Sequence, residues 1–369
     1  MNNKTTIFLV ILIALVVAVS VVVVYNEFYK TSASLAPEPS TITVVDGAGY
    51  TVTVTLPVSR VVVTGAGLGE ILCSMGAQDL LVGRTDDVVL PSSVLTVPSV
   101  GENAWFLTAE AVLDLEPDLI IADSLLLYNE VAYEQLRNAG IPIYIGDTSA
   151  PDPTMNPLDM SPEELYNFPT IIDHTCSLMQ NLTEVVGHHE QVATYVNWAQ
   201  SYNKLVKDRI AELTPEQQVT VYIDWYSYRY STWGDVSVYQ AGGFNIACNQ
   251  TINYPLLQGL ELSPEFIVEQ NPAVIISLIS SATHDVNDFI GVKNDVLTLP
   301  QIRGVDAVTN GRIYVCDFAI RNGPRSIIGY LFYAKSIQPD LFSDIDLDNI
   351  IQQVNQYFDT PVTGTYCYP

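Results

Sequence analysis

Residues 222–233, YIDWYSYRYSTW, carry six aromatic rings and one arginine. Aromatic residues at alternating positions ordinarily pack one face of a sheet. At the exit of a strand they can also stack on a flat ligand. Trp225, Tyr226 and Tyr228 would then supply ring faces, and Arg229 a cation for π or anionic contacts. Trp105 is their counterpart in the first half of the chain. Arg321 and Arg325, in FAIRNGPRS, stand out because the chain holds only 15 lysines and arginines. Such a pair serves either surface solubility or the binding of ligand carboxylates or phosphates. Arg84, closing LLVGR, raises the same choice. His284, in SSATHD, is either a solvated loop residue or an axial ligand to haem iron or cobalt.

Other motifs narrow the classes. TGAGLGE, residues 64–70, invites a dinucleotide reading, with Asp86 beyond the next strand. Its glycines are spaced G-x-G-x-G, which departs from the dinucleotide fingerprint, so it reads better as a turn that lets a ligand approach the backbone. No Ser/His/Asp set, H-E-x-x-H motif or paired-carboxylate motif is evident, which counts against an enzyme. Five cysteines, Cys73, Cys176, Cys248, Cys316 and Cys367, lack C-x-x-C spacing, against zinc or iron–sulfur ligation. They read as buried apolar fillers, and an odd count leaves at least one unpaired. Asn181-Leu-Thr and Asn249-Gln-Thr match a glycosylation pattern that is common by chance.

The elements that must position these groups are legible. TITVVDGAGYTVTV, residues 41–54, alternates around an Asp-Gly turn and predicts a hairpin. RVVVTG, DLLVGR, DLIIAD and IPIYIGD predict buried strands separated by helices near 69–75, 109–116 and 129–138. Residues 188–213 form the longest uninterrupted helical pattern, with His188 and His189 exposed at its start. The alternation then restarts with VTVYIDWY, GGFNIA, AVIISL and RIYVCDF, before a helical stretch from about 324 to 358. The fold class is α/β: two lobes, each with a mainly parallel sheet flanked by helices, joined by one long helix. The boundaries are 41–187, 188–214 and 215–369.

One unit occurs once per lobe. TAEAVLDLEPDLIIAD starts at Thr108, and SPEFIVEQNPAVIISL starts at Ser263. Thr108 and Ser263 are helix N-caps, and Pro264 suits the first helical position. Glu110 and Glu265 therefore fall in first turns, at the carboxyl edge of their sheets, where ligand crevices open. Such a glutamate complements the helix dipole. Its recurrence in both lobes also suits a docking role.

The formal net charge of -26 repels nucleic acid and anionic membrane surfaces. Residues 7–25 carry no charge and as a helix would span roughly 28 Å, close to a bilayer core. They predict an uncleaved anchor in preference to a cleaved signal, with Lys4 inside and the body outside. Residues 26–40 read as a tether.

From residue 41 on, the chain resembles the solute-binding proteins of ABC importers for iron–siderophore, haem and cobalamin (class III periplasmic binding proteins). The likeness rests on the opening hairpin, RVVVTGAGLGEILCSMGAQDLLVGRT, VGEN, both copies of the repeat and NGRIYVCD. It implies capture of a metal chelate between two lobes, no intrinsic cofactor, and delivery to a permease dimer with its ATPase. Permease arginines would pair with Glu110 and Glu265. No lipobox Cys is present, so the chain looks more like archaeal members anchored by a helix. The alternative class is an anchored extracytoplasmic α/β enzyme using the same cleft.

Overall fold

The computed structural model describes Ser20 and residues 40–147, 161–226, 231–232, 236–249, 260–280, 285–321, 323–358, 361 and 363–369. The chain divides into two units. One comprises 1–41 with 55–57, of which the described part is chiefly the outer ends of the hairpin strands. The other comprises 42–54 with 58–369 and contains both sheets. Among the described residues no helix is long and apolar enough to cross a membrane. The expected anchor, residues 7–25, lies outside the described residues apart from Ser20.

Strands β1 (Ser40–Val45) and β2 (Thr51–Leu56) form the expected hairpin. Asp46 fixes its turn, accepting from the Ala48 and Tyr50 amides and, across to the first sheet, from the Ile145 amide. That sheet contains β3 (Val61–Val63), β4 (Leu81–Arg84), β5 (Leu119–Asp123) and β6 (Ile143–Asp147), all parallel, in the order β4-β3-β5-β6. Helices α1 (Ala66–Ser74), α2 (Ala109–Leu113) and α3 (Glu130–Asn138) accompany it. Val62, Ile120, Ile143 and Ile145 pack with Val112 and Leu136 in the core of this lobe.

Helix α4 (Pro162–Asn167) leads to α5 (Ile171–Val186) and α6 (His189–Ile210), which lie against each other. The sequence reading identified α6 but not α5. Asp173 in the first turn of α5 binds Lys207, Asn203 and Gln200 of α6. Helix α6 spans both halves: Gln191 donates to the Ser74 carbonyl at the end of α1, and Tyr195 donates to the Pro324 carbonyl.

The second sheet contains β7 (Val219–Trp225), β9 (Gly243–Asn245), β11 (Val274–Ile279), β12 (Ile313–Asp317) and β13 (Cys367–Tyr368), in the order β13-β12-β11-β7-β9. Only β13 is antiparallel. Short strands β8 (Ser231–Thr232) and β10 (Leu260–Glu261) pair separately. Helices α7 (Val236–Gln240), α8 (Pro264–Gln270), α9 (Val286–Leu297), α10 (Asp306–Thr309), α11 (Ser326–Ile337) and α12 (Leu347–Asn355) complete the chain. The single helical stretch expected over 324–358 is thus two helices. Pro339 explains the break: the residue before a proline avoids helical angles, and Gln338 sits at φ −123, ψ 66.

Numbered within each lobe, both parallel sets run in the order second, first, third, fourth strand. The repeated unit builds the third strand each time, as α2–β5 and α8–β11. Its geometry is repeated in detail. Thr108 accepts from the Ala111 amide and Ser263 from the Phe266 amide. Each unit then turns through a left-handed residue, Glu116 at φ 44 and Asn271 at φ 42, each just before a proline.

Candidate ligand-binding site

In both lobes the first and third strands begin connections that leave the sheet in opposite directions, and a crevice opens at their carboxyl ends. In the N-terminal lobe this edge is stitched by side chains. The Asp123 amide donates to the Thr64 hydroxyl at 3.1 Å, and the Gly65 amide to the Thr85 hydroxyl at 3.2 Å. Gly65 sits at φ +85, and a Cβ there would lie 2.5 Å from the Asp123 carboxylate, so no other residue fits.

Trp105 lies on this edge and is 43% exposed. Its ring stacks on Tyr128 at 5.7 Å between centroids and on Phe106 at 6.3 Å. Asn103 holds the turn by accepting from the Trp105 and Phe106 amides. Asn129, beside Tyr128, donates to the Ala104 and Leu107 carbonyls. The three rings are therefore positioned by polar contacts and by one another, and each stays partly in solvent, with Phe106 62% and Tyr128 42% exposed. Sequence reasoning found Trp105 but missed Phe106 and Tyr128. The signal was present: an exposed Tyr closing the turn after the same strand that Trp105 precedes.

In the C-terminal lobe the aromatic segment divides by strand period. Tyr222 and Tyr226 share one face. Tyr222 is buried and donates to Asp224, which also accepts from Ser277. Tyr226 packs with Phe289 and Val292 of α9, and its hydroxyl donates to Asp295. Tyr226 was expected at the ligand; here its ring and hydroxyl meet this helix. Trp225 points the other way, edge-on to Phe318 at 5.6 Å. Tyr228, Arg229 and His284 lie outside the described residues. Among the described residues no group of three or more His, Cys, Asp or Glu side chains could hold a metal ion.

The two arginines part company. The Arg321 guanidinium lies 5.7 Å from the Phe318 ring centre and lines a cavity of about 50 Å³. Ser237, Ser326, Tyr330 and Tyr333 also line it, with Ile171 as an apolar wall. Tyr330 donates to the Gln240 carbonyl and the Ser326 hydroxyl bonds that of Thr175, so Arg321 is the group here that suits carboxylate or oxyanion oxygens. Arg325, also expected at the ligand, has a partner within the protein. It is buried and pairs in bidentate fashion with Glu70 of α1, with the Tyr366 ring at 4.7 Å. Arg84 is likewise structural, donating to the Val94, Thr85 and Val88 carbonyls.

The glycine turn also acquires a partner. Gly323, at φ +63, sits so close to α1 that a Cβ would lie 2.8 Å from the Gly67 carbonyl. The close backbone approach in TGAGLGE is thus made by the protein's own second lobe. Glu110 and Glu265 are exposed in the first turns of α2 and α8.

Residues 61–320 match the family described as periplasmic binding protein. The chain is 22% identical over 271 residues to the molybdate-binding protein MolA of Haemophilus influenzae, covering 68% of this chain and 69% of that one. The structure of MolA bound to molybdate aligns with TM-score 0.66 and 19% identity over 86% of this chain and 97% of that one. The TroA-like periplasmic binding protein FepB from Veillonella parvula aligns with TM-score 0.67 and 17% identity, covering 89% and 99%. A periplasmic heme binding protein from Pseudomonas aeruginosa aligns with TM-score 0.57 and 20% identity, covering 76% and 93%. At these identities the structural likenesses establish a shared fold. All three relatives are bacterial and lend nothing to the archaeal affinity expected from the missing lipobox Cys.

Proposed function

This chain belongs to the periplasmic binding protein family, a family of solute carriers and not of enzymes, and from that premise we propose that it is the extracytoplasmic solute-binding component of an ABC importer. The enzyme alternative falls with the same finding. Its ligand is a metal chelate with a flat or extended organic body and an anionic edge, of the siderophore, haem or corrinoid kind. The stack of Tyr128, Trp105 and Phe106 carries this reading. Three solvent-facing rings held by Asn103 and Asn129 suit the face of an organic ligand better than a bare oxyanion. Arg321, at its small cavity, would take a carboxylate from the same ligand.

Glu110 and Glu265 are the permease contacts in this reading, one at the same position of each repeated unit. Residues 7–25 tether the protein to the outer face of the membrane. Tyr228, Arg229 and His284, which lie outside the described residues, are the further ligand contacts in this reading, with Trp225 beside them in sequence.

The test is titration of the purified protein with haem, a ferric siderophore, a corrinoid and molybdate, read by tryptophan fluorescence. One chelate should saturate the protein at one equivalent and be recovered unchanged. A relative is named for molybdate, so saturation by molybdate alone would overturn the chelate reading while leaving the transport role intact.

A further inference from the structure

We infer that Cys316 and Cys367 are joined by a disulfide in the mature protein. The extracytoplasmic reading above bears on this only through the compartment in which the bond forms.

The argument starts from strand register. In the antiparallel pair at the sheet edge, Cys316 of β12 lies opposite Cys367 of β13, and Val315 lies opposite Tyr368. One step further, the Asp317 amide donates to the Tyr366 carbonyl at 2.8 Å. Asp317 and Tyr366 are therefore a hydrogen-bonded pair. Antiparallel ladders alternate such pairs with non-hydrogen-bonded ones, so the two cysteines form the latter kind. Their Cα atoms are then about 4.5 Å apart, with both side chains on one face. Both cysteines are unlinked in this structure, and the Cys316 thiol donates to the Asp317 carbonyl at 3.7 Å. Disulfides span Cα separations of about 4.4–6.8 Å, so this separation admits the bond once the Cys316 thiol turns from that carbonyl. Cys73 lies in α1 and Cys176 in α5, so neither shares a strand register.

The step balances as an exchange. Two S–H bonds break and one Sγ–Sγ bond forms. The S–S bond of a small-molecule or protein disulfide breaks, and both electrons and both protons pass to it to give its dithiol. Burial pushes the docked Cys367 thiol up to about 12, so little thiolate is present once β13 is seated. The bond would fasten the C-terminal segment to β12. Its consequence reaches the centre of the molecule. Tyr366 neighbours Cys367, and its ring covers the Arg325 guanidinium paired with Glu70. The disulfide holds that cover in place.

The full-length protein, unfolded with reductant and refolded in oxidised glutathione, is denatured and alkylated before peptide mass spectrometry. The expected result is a peptide containing Cys316 linked to one containing Cys367, with both alkylated only after reduction. Reduction should lower the melting midpoint by roughly 5 °C, with no such shift in Cys316→Ser or Cys367→Ser. Alkylation of both cysteines without reductant, or linkage of either to another cysteine, overturns the proposal. The same mapping on protein from the host envelope reads the mature state, and both thiols alkylated there overturns it as well. Protease access on intact cells tests the compartment separately, so the two failures are distinguishable.

Discussion

The Arg325 guanidinium lies flat against the Glu70 carboxylate, donating from Nε to Oε2 at 2.7 Å and from Nη2 to Oε1. Glu70 comes from the glycine-rich turn of the first lobe, and Arg325 from the segment after the last parallel strand of the second. Both side chains are buried. Burial disfavours both charges, yet Glu70 beside it holds the Arg325 guanidinium above its ordinary pKa. Burial also raises the Glu70 carboxyl above its ordinary pKa, against the opposing charge and hydrogen bonds of Arg325. Removing one partner strands a buried charge. Arg325→Leu or Glu70→Leu should cost about 3–5 kcal/mol in denaturant unfolding. The double replacement should recover most of the loss, and failure to recover would show that the pair contributes more than charge compensation.

The ring platform and Tyr226 separate binding from stability. Trp105→Ala and Tyr128→Ala should each weaken chelate affinity by about 1–3 kcal/mol, with the unfolding midpoint almost unchanged because both rings are exposed. Tyr226→Phe should do the reverse, losing the hydroxyl bond to Asp295 and about 1 kcal/mol of stability at unchanged affinity. Calorimetric titration and thermal unfolding on the same variants check both.

Glu110 and Glu265 can be tested without touching the ligand. Glu110→Arg combined with Glu265→Arg should lower uptake by whole cells and leave chelate affinity unaltered, because charge partners across the permease interface are lost. If the two residues only complement helix dipoles, stability falls by a few tenths to about 1 kcal/mol and uptake stays normal.

Asp173 gives a pH dependence. Burial would raise its carboxyl, but hydrogen bonds from Lys207, the Thr170 amide and Gln200 outweigh that and hold it at about 2. A depressed carboxylate stabilises the fold above its ordinary pKa of about 3.8 and loses that contribution as pH falls towards 2. With allowance for solvent screening, the loss should be about 1–2 kcal/mol. Asp173→Asn should flatten the stability profile in this window, as read by urea unfolding from pH 5 to 2.

The sequence by itself determined the parts that depend on neighbouring residues. The hairpin, the parallel strands, the two N-caps and the α2–β5 and α8–β11 units all follow from period, capping residues and proline. These act over a few positions, so a single chain displays them. The sequence also singled out Trp105 as the first-half counterpart of the aromatic segment.

Tertiary structure decided what each side chain meets. FAIRNGPRS offers two arginines in one motif. Arg321 lines a cavity, while Arg325 meets Glu70, 255 positions away in the chain. Tyr226 and Trp225 are adjacent, yet one packs on α9 and the other on Phe318, because strand geometry sends them to opposite faces. Trp105 needs Tyr128 to become a platform, and Cys316 needs β13 to lie opposite Cys367. Those outcomes depend on how the sheet edges and the turns that leave them pack. No local spacing encodes that packing, because burial and charge compensation act between segments that meet only after the chain has folded.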